Sequence, residues 1–107
     1  MAKVSILMNC YNSALFLKES LDSVMCQSYE DWEIIFWDNQ STDNSAEIIK
    51  QYKDKRIKYF YAPAHTSLYK GRSQALKHCE GKYLAFLDCD DLWMTDKLEK
   101  QINIFER

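Results

Sequence analysis

Three carboxylates fall within four positions, at Asp88, Asp90 and Asp91, directly after the apolar pair Phe86-Leu87 and just ahead of Leu92-Trp93. Negative charges that close raise one another's pKa and cost free energy unless a cation joins them. The pattern therefore predicts a divalent metal held by Asp88, Asp90 and Asp91. Oxygen donors with room for water and phosphate suit Mg²⁺ or Mn²⁺, whereas Zn²⁺ would favour His or Cys. In the competing reading the aspartates only stabilise a turn, for which one would suffice.

Two further segments place polar groups just past an apolar run. Asp38-Asn39-Gln40-Ser41-Thr42-Asp43 follows Ile34 to Trp37. The amide of an Asn offers both an acceptor and a donor, which can match a pyrimidine edge. Taken alone, the segment reads more readily as an Asx-turn leading into a helix N-cap. Met8-Asn9-Cys10-Tyr11-Asn12 brings amides and a phenol, and Tyr11 could stack on a base or belong to the core. Arg72, within Tyr69-Lys70-Gly71-Arg72-Ser73, could pair with a diphosphate, with an acidic rim residue, or with solvent alone. His65 and His78 have no Ser or carboxylate partner at a telling spacing, so both are expected to be surface or packing residues. The sequence contains neither a P-loop nor a G-x-G-x-x-G, which argues against those modes of ATP or dinucleotide binding.

The elements that must position these residues alternate. Short apolar runs at Val4 to Met8, Trp32 to Trp37, Ile57 to Tyr61 and Tyr83 to Leu87 read as strands. The first two and the last are nearly continuously apolar, as strands covered on both faces must be. Ala14, Leu17, Leu21, Val24 and Met25 recur at helical spacing, predicting a helix over 13–27 capped by Asn12 or Ser13. A second helix is expected after Ser41 or Thr42, with Asp43 near its positive end and Ala46, Ile49 and Tyr52 inward. A third is expected over Leu68 to His78, leaving through a left-handed Gly81. A fourth is capped by Thr95, with Leu98, Ile102 and Phe105 inward. The order βαβαβαβα predicts an α/β fold with a mostly parallel, doubly wound sheet, whose ligands bind outside the carboxyl ends of the strands. All three polar segments fall there.

A chain of 107 residues suits a single domain, 1–107, and its 28% charged and 47% hydrophobic content is that of a folded globular protein. The formal net charge of −2 supplies no basic field for a nucleic-acid backbone, so nucleic acid is not expected as a partner. Apolar runs such as Ile34 to Trp37 and Leu84 to Leu87 are far too short to span a bilayer. Without a signal-peptide pattern, a cytosolic setting with reduced, mostly buried thiols is expected for Cys10, Cys26, Cys79 and Cys89. The last helical pattern runs into Arg107 without a stop signal, as in a chain cut short, and its apolar face could promote self-association.

In sequence order, Val4-Ser5-Ile6-Leu7-Met8 with Tyr11-Asn12, Gln27-Ser28-Tyr29, Trp32-Glu33-Ile34-Ile35, Asp38-Asn39 with Ser41-Thr42-Asp43, Gly71-Arg72-Ser73, Gly81-Lys82-Tyr83 and Phe86-Leu87-Asp88-Cys89-Asp90-Asp91 make up most of the distinctive text. With these blocks the whole chain resembles the N-terminal half of family 2 glycosyltransferases, inverting enzymes of the Rossmann-like GT-A fold. The resemblance implies a nucleotide-diphosphate sugar as ligand, a UDP-sugar first, and makes Asp88 to Asp91 the family's D-x-D motif, with Mg²⁺ or Mn²⁺ as cofactor. It implies nucleotide contacts from Asn9, Tyr11, Asp38, Asn39, Arg72, Asp88 and Asp90, and metal contacts from Asp88, Asp90 and Asp91. Asn39 stands where many relatives carry Asp, and Ser73 where many carry Asn, which bears on the identity of the base. Family members continue for about another hundred residues that bind the acceptor and supply the general base. This stretch is therefore expected to be a donor-binding part with no catalytic base of its own. The acceptor would be a glycan or a lipid-linked sugar, met at the inner face of the membrane during cell-surface polysaccharide synthesis. Phe86 to Asp90 also resembles the haloacid dehalogenase motif, with Asp88 as nucleophile, and a non-catalytic interaction module is a third reading.

Overall fold

The structure, a computed structural model, describes residues 2–106. Four strands, β1 (Val4–Cys10), β2 (Trp32–Asp38), β3 (Ile57–Tyr61) and β4 (Tyr83–Phe86), alternate with helices α1 (Ala14–Met25), α2 (Ser45–Lys50), α3 (Leu68–Leu76) and α4 (Lys97–Phe105). The strands form one parallel sheet in the order β3-β2-β1-β4. Its helices are those the periodicity predicts, several of them shorter at their ends.

The order of the strands explains the layering. From β1 to β2 to β3 the chain steps one way across the sheet; after β3 it returns past β2 and β1 to add β4 at the opposite edge. Crossovers keep a right-handed sense, so a reversal of direction sends the connecting helix to the opposite face. Accordingly, α3 packs alone on one face, against β1 and β2, while α1, α2 and α4 share the other. Side chains alternate along each strand. Val4, Ile6, Met8, Trp32, Ile34 and Phe36 meet the α1 side. Leu7, Ile35 and Trp37 meet α3, through Ala75.

Four expectations change. Gly81 does not leave α3 in a left-handed conformation, since no glycine has positive φ. Its role is close approach: a Cβ there would lie 2.6 Å from the Ser5 backbone nitrogen. Asp96 rather than Thr95 occupies the N-cap position of α4, and Phe105 is 60% exposed, stacked on Tyr83 rather than buried. β4 is an edge strand half-buried on the α1 side, with Leu84 and Phe86 44% and 47% exposed on the other, because α3 covers β1 and β2 and stops short of it. Among the described residues, no helix is long and apolar enough to cross a membrane.

Candidate functional site

Strand register creates the site. Cys10, Asp38 and Tyr61 stand in one row across β1, β2 and β3, and the Leu87 N–H donates to the Leu7 carbonyl to extend the β1–β4 ladder. The loops that follow the four strands therefore emerge side by side along one rim. The direction of chain travel reverses between β1 and β4, and at such a switch point the flanking loops part to leave a crevice.

The acidic loop leaves β4 at this crevice. Asp88, Asp90 and Asp91 are all exposed, and one oxygen from each lies within 4.8 Å of the others. The turn is closed by backbone, with the Asp91 N–H donating to the Asp88 carbonyl at 3.0 Å. A set of carboxylates alone, accessible to water and adjacent to a crevice, fits a hard divalent ion such as Mg²⁺ or Mn²⁺. Arg72 Nη2 stands 3.5 Å from Asp88 Oδ1, and its guanidinium lies over Phe86 at 5.1 Å from the ring centroid. Arg72 and Lys97 line a pocket at the end of β4 together with Phe86, Asp88, Asp91 and Trp93. One cation thus pairs loosely with a carboxylate of this loop and a second lines the same pocket, an arrangement suited to binding a polyanion.

Helix α1 holds this loop in place. Buried Ser20 donates through Oγ to the carbonyls of Asp88 and Asp91. Ser23 Oγ accepts from the Trp93 N–H at 3.2 Å. Gln27 donates to the Met94 carbonyl at 2.6 Å and accepts from the Leu98 N–H at 3.1 Å, tying α1 to the start of α4. Chemical reasoning on the sequence did not find this support. Its signal was the polar stripe Ser20, Ser23 and Gln27 at helical spacing beside the apolar stripe of α1.

Alternation along the strands separates the other candidates. Asn9, Asn39 and Asp88 follow the α3 side, and there Asn9 Nδ2 donates to the Leu68 carbonyl at 3.4 Å. A Cβ on Gly71 would come within 2.8 Å of that nitrogen, so glycine lets α3 lie against the end of β1. Asn39 is 5% exposed. Its Nδ2 donates to the Thr66 carbonyl at 2.8 Å and its Oδ1 accepts from the Thr66 N–H at 3.0 Å, an amide clamp on the β3–α3 loop. Asp38 turns to the opposite side and is fully buried. Its two oxygens accept from the Ser41 N–H at 2.8 Å and the Tyr59 hydroxyl at 2.6 Å. Tyr11 is half-exposed on the rim, its ring 4.6 Å from that of His65. His78, by contrast, packs on Phe60 with centroids 4.0 Å apart.

The N-terminus of α1 differs from the expected self-capping. Ser13 makes no side-chain cap; Asp43 Oδ2 accepts from the Ala14 N–H at 3.1 Å and Ser45 Oγ from the Ser13 N–H at 3.2 Å. Asn12, at φ 50°, bends the chain so that its Oδ1 accepts from the N–H groups of Thr42 and Asp43. The first and second rim loops are thereby laced together. Beneath the rim, Cys10 and Cys89 are buried free thiols. The neighbouring Cys89 thiol holds Cys10 down to about 7, and Cys89 is pushed up in turn. Cys79 is half-buried and Cys26 exposed.

Known proteins resemble this chain in sequence and fold. The family model described as glycosyl transferase family 2 matches residues 5–107. The putative teichuronic acid biosynthesis glycosyltransferase TuaG of Bacillus subtilis is 40% identical over 101 residues, covering 92% of this chain and 40% of its own length. The Escherichia coli enzyme WfgD, named a UDP-Glc:alpha-D-GlcNAc-diphosphoundecaprenol beta-1,3-glucosyltransferase, is 38% identical over 101 residues, covering 94% of this chain and 40% of its own. The chain thus spans about two fifths of the length of these relatives. Among solved structures, S. aureus TarS 1-349 in complex with UDP superposes with a TM-score of 0.91 at 28% identity, over 97% of this chain and 32% of TarS. The haloacid dehalogenase likeness rests on five residues, Phe86 to Asp90, at the end of the fourth strand. From Ser5 onward the family match takes in every rim loop, and the chain belongs to glycosyl transferase family 2.

Proposed function

We propose that this chain forms the donor site of an inverting glycosyltransferase that uses a nucleotide-diphosphate sugar, a UDP-sugar first, together with Mg²⁺ or Mn²⁺. One observation carries the reading: the exposed carboxylates of Asp88, Asp90 and Asp91 converge within 4.8 Å in the loop after β4, with Arg72 beside Asp88. TarS has been solved with UDP and with UDP-GlcNAc, and the name of WfgD specifies UDP-Glc, which supports uridine as the base.

In this reading Asp88, Asp90 and Asp91 hold the ion, and Asp88 and Asp90 also reach the nucleotide. Bound there, a divalent ion supplies Lewis-acid stabilisation to the charge that develops on the departing nucleoside diphosphate. Arg72 leaves its long contact with Asp88 to pair with diphosphate oxygens, its stem steadied by the face of Phe86. Asn9 and Tyr11 line the nucleoside side of the cleft. Asn39 shapes that side by fixing the 62–67 loop, and Asp38 buttresses it from behind through Ser41 and Tyr59. In the transfer, the acceptor oxygen bonds to the anomeric carbon as the bond from that carbon to phosphate oxygen breaks. The acceptor's proton passes to a carboxylate base, which the reading places outside residues 1–107. The acceptor is a glycan or lipid-linked sugar, and donor supply places the work on the cytosolic side of the membrane.

NMR titration with UDP, GDP and dTDP, each with and without Mg²⁺, tests this. Metal-dependent UDP shifts at Asn9 and Arg72 are expected, with Mn²⁺ broadening centred on 88–91 that disappears in Asp90→Asn and Asp91→Asn. A folded sample with no nucleotide shifts, or broadening that survives both substitutions, would leave the interaction-module reading in its place.

A further inference from the structure

His65 belongs to none of the roles above, although it occupies the same rim. Its Nδ1 lies 3.0 Å from the carbonyl oxygen of Asn39, and its ring leans on Tyr11 with centroids 4.6 Å apart and planes inclined at 59°. A carbonyl only accepts, so the hydrogen between His65 and Asn39 sits on Nδ1. In the neutral ring this tautomer makes Nε2 an acceptor, with its lone pair unspent.

The segment around His65 is held at several points. Asn39 clamps the backbone of Thr66 on both its N–H and its carbonyl. Gln40 Nε2 donates to the Ala62 carbonyl at 3.1 Å, and Ser67 Oγ accepts from the Lys70 N–H to cap α3. An exposed imidazole anchored at Nδ1, flanked by a half-exposed phenol ring and carried on a clamped loop, is pre-organised for a planar ligand. The same bonds occupy Asn39, whose amide spends its best-aligned donor and acceptor on Thr66 and is nearly buried.

We propose that His65 is a specificity-determining residue: its Nε2, rather than the amide of Asn39, accepts the ring N–H of the nucleobase, while Tyr11 supplies the flat wall. This rests on the donor-site reading given above. An acceptor at that point favours a base whose ring nitrogen bears hydrogen, as in uracil, thymine or guanine. It disfavours cytosine, where the corresponding nitrogen is itself an acceptor and the two lone pairs would face each other. Sites built around such a bond reject the mismatched ligand strongly, because the polar group is left unpaired.

Calorimetric titration at pH 8 with UDP, CDP and inorganic pyrophosphate, each with Mg²⁺, separates the outcomes in the protein, His65→Ala and His65→Phe. The unaltered protein is expected to prefer UDP over CDP by about tenfold or more. Both variants should bring that ratio to within about threefold, as the loss of one hydrogen bond implies. His65→Phe keeps the ring beside Tyr11 and should hold UDP better than His65→Ala, and pyrophosphate, which has no base, should bind all three alike. A UDP to CDP ratio that survives both substitutions would overturn the assignment. So would equal losses of UDP and pyrophosphate, which would mark His65 as structural. If the unaltered protein binds pyrophosphate but does not distinguish UDP from CDP, the inference fails while the donor-site reading stands. If it binds neither UDP nor pyrophosphate, both fail.

Discussion

Removing the carboxylate of Glu33 tests how the end of the sheet away from the site is held. Glu33 is buried on β2, facing the α3 side. Its Oε2 accepts from Ser5 Oγ at 2.5 Å and from the Glu80 N–H at 2.9 Å, and its Oε1 from Lys58 Nζ at 2.6 Å. Ser5 Oγ in turn accepts from the Gly81 N–H at 2.7 Å, so one carboxylate links β1, β2, β3 and the entry to β4. Bonds to a charged group contribute about 1.5–3 kcal/mol each, but Lys58 is half-exposed and can rejoin water, so its share is small. The Ser5 and Glu80 donors would be left unpaired, and Glu33→Ala is expected to cost about 3 kcal/mol. For a domain of about 100 residues that lowers Tm by roughly 12–24 °C. Glu33→Gln keeps one acceptor but turns an amide donor toward other donors, and should cost about 2 kcal/mol.

The pH dependence gives an independent check. Burial pushes the Glu33 carboxyl up, but the bonds from Lys58, Ser5 and the Glu80 N–H outweigh it and hold it below the usual glutamate range. The unfolded chain therefore binds this proton more readily, at about pH 4.3. The stability that ionised Glu33 contributes is complete above that pH and is lost as the pH falls through the depressed folded value. The gap between the protein and Glu33→Gln, read from urea unfolding at pH 7 and at successively lower pH, should shrink below about pH 4. A Glu33→Ala cost under about 1 kcal/mol, or a gap that widens on acidification, would refute the reasoning.

Other substitutions separate packing from chemistry. Gly81→Ala would press a Cβ against the Ser5 and Val4 backbone at 2.6 to 2.9 Å and should cost about 1–3 kcal/mol in chemical denaturation. Gly71→Ala meets only the mobile end of the Asn9 side chain, at 2.8 Å, so stability should change by under about 1 kcal/mol. The same change should weaken nucleotide binding, as read by titration, because Asn9 must turn aside. At Asp38, Asn can still accept from Ser41 and donate to the Tyr59 oxygen; Asp38→Asn should cost about 1 kcal/mol or less in thermal melts, and Asp38→Ala about 2–3. Cys89→Ala removes the thiol that holds Cys10 near 7, so a ¹³C-labelled Cys10 should titrate at higher pH in the variant.

Much of the fold was legible in the sequence because its signals are local. Period-3.6 stripes mark α1 and α4, the buried runs mark β1 and β2, and Asp88 to Asp91 announce themselves by repulsion alone. Local chemistry misled where a neighbour took over a task. Asn12 or Ser13 was expected to cap α1, but Asp43 and Ser45 do so from the next loop. Gly81 was expected to serve a turn, and serves a contact with β1 that is 76 positions away in the chain. His65 was expected at the surface or in packing, and it is exposed with its ring against Tyr11; its partners Tyr11 and Asn39 come from two other rim loops.

The sequence by itself determined the order of elements, and with it the rim on which every candidate residue lies, since parallel strands joined by helices all end on the same side. It also determined the charge chemistry of the acidic loop. Only the tertiary structure decided which candidates meet. Register sets Cys10, Asp38 and Tyr61 in one row. Alternation then turns Asp38 into the core behind the rim while Asn9, Asn39 and Asp88 follow the α3 side. The return of the chain to the far edge opens the crevice beside β4. These outcomes depend on pairing between segments far apart in the chain, which no spacing within one segment encodes.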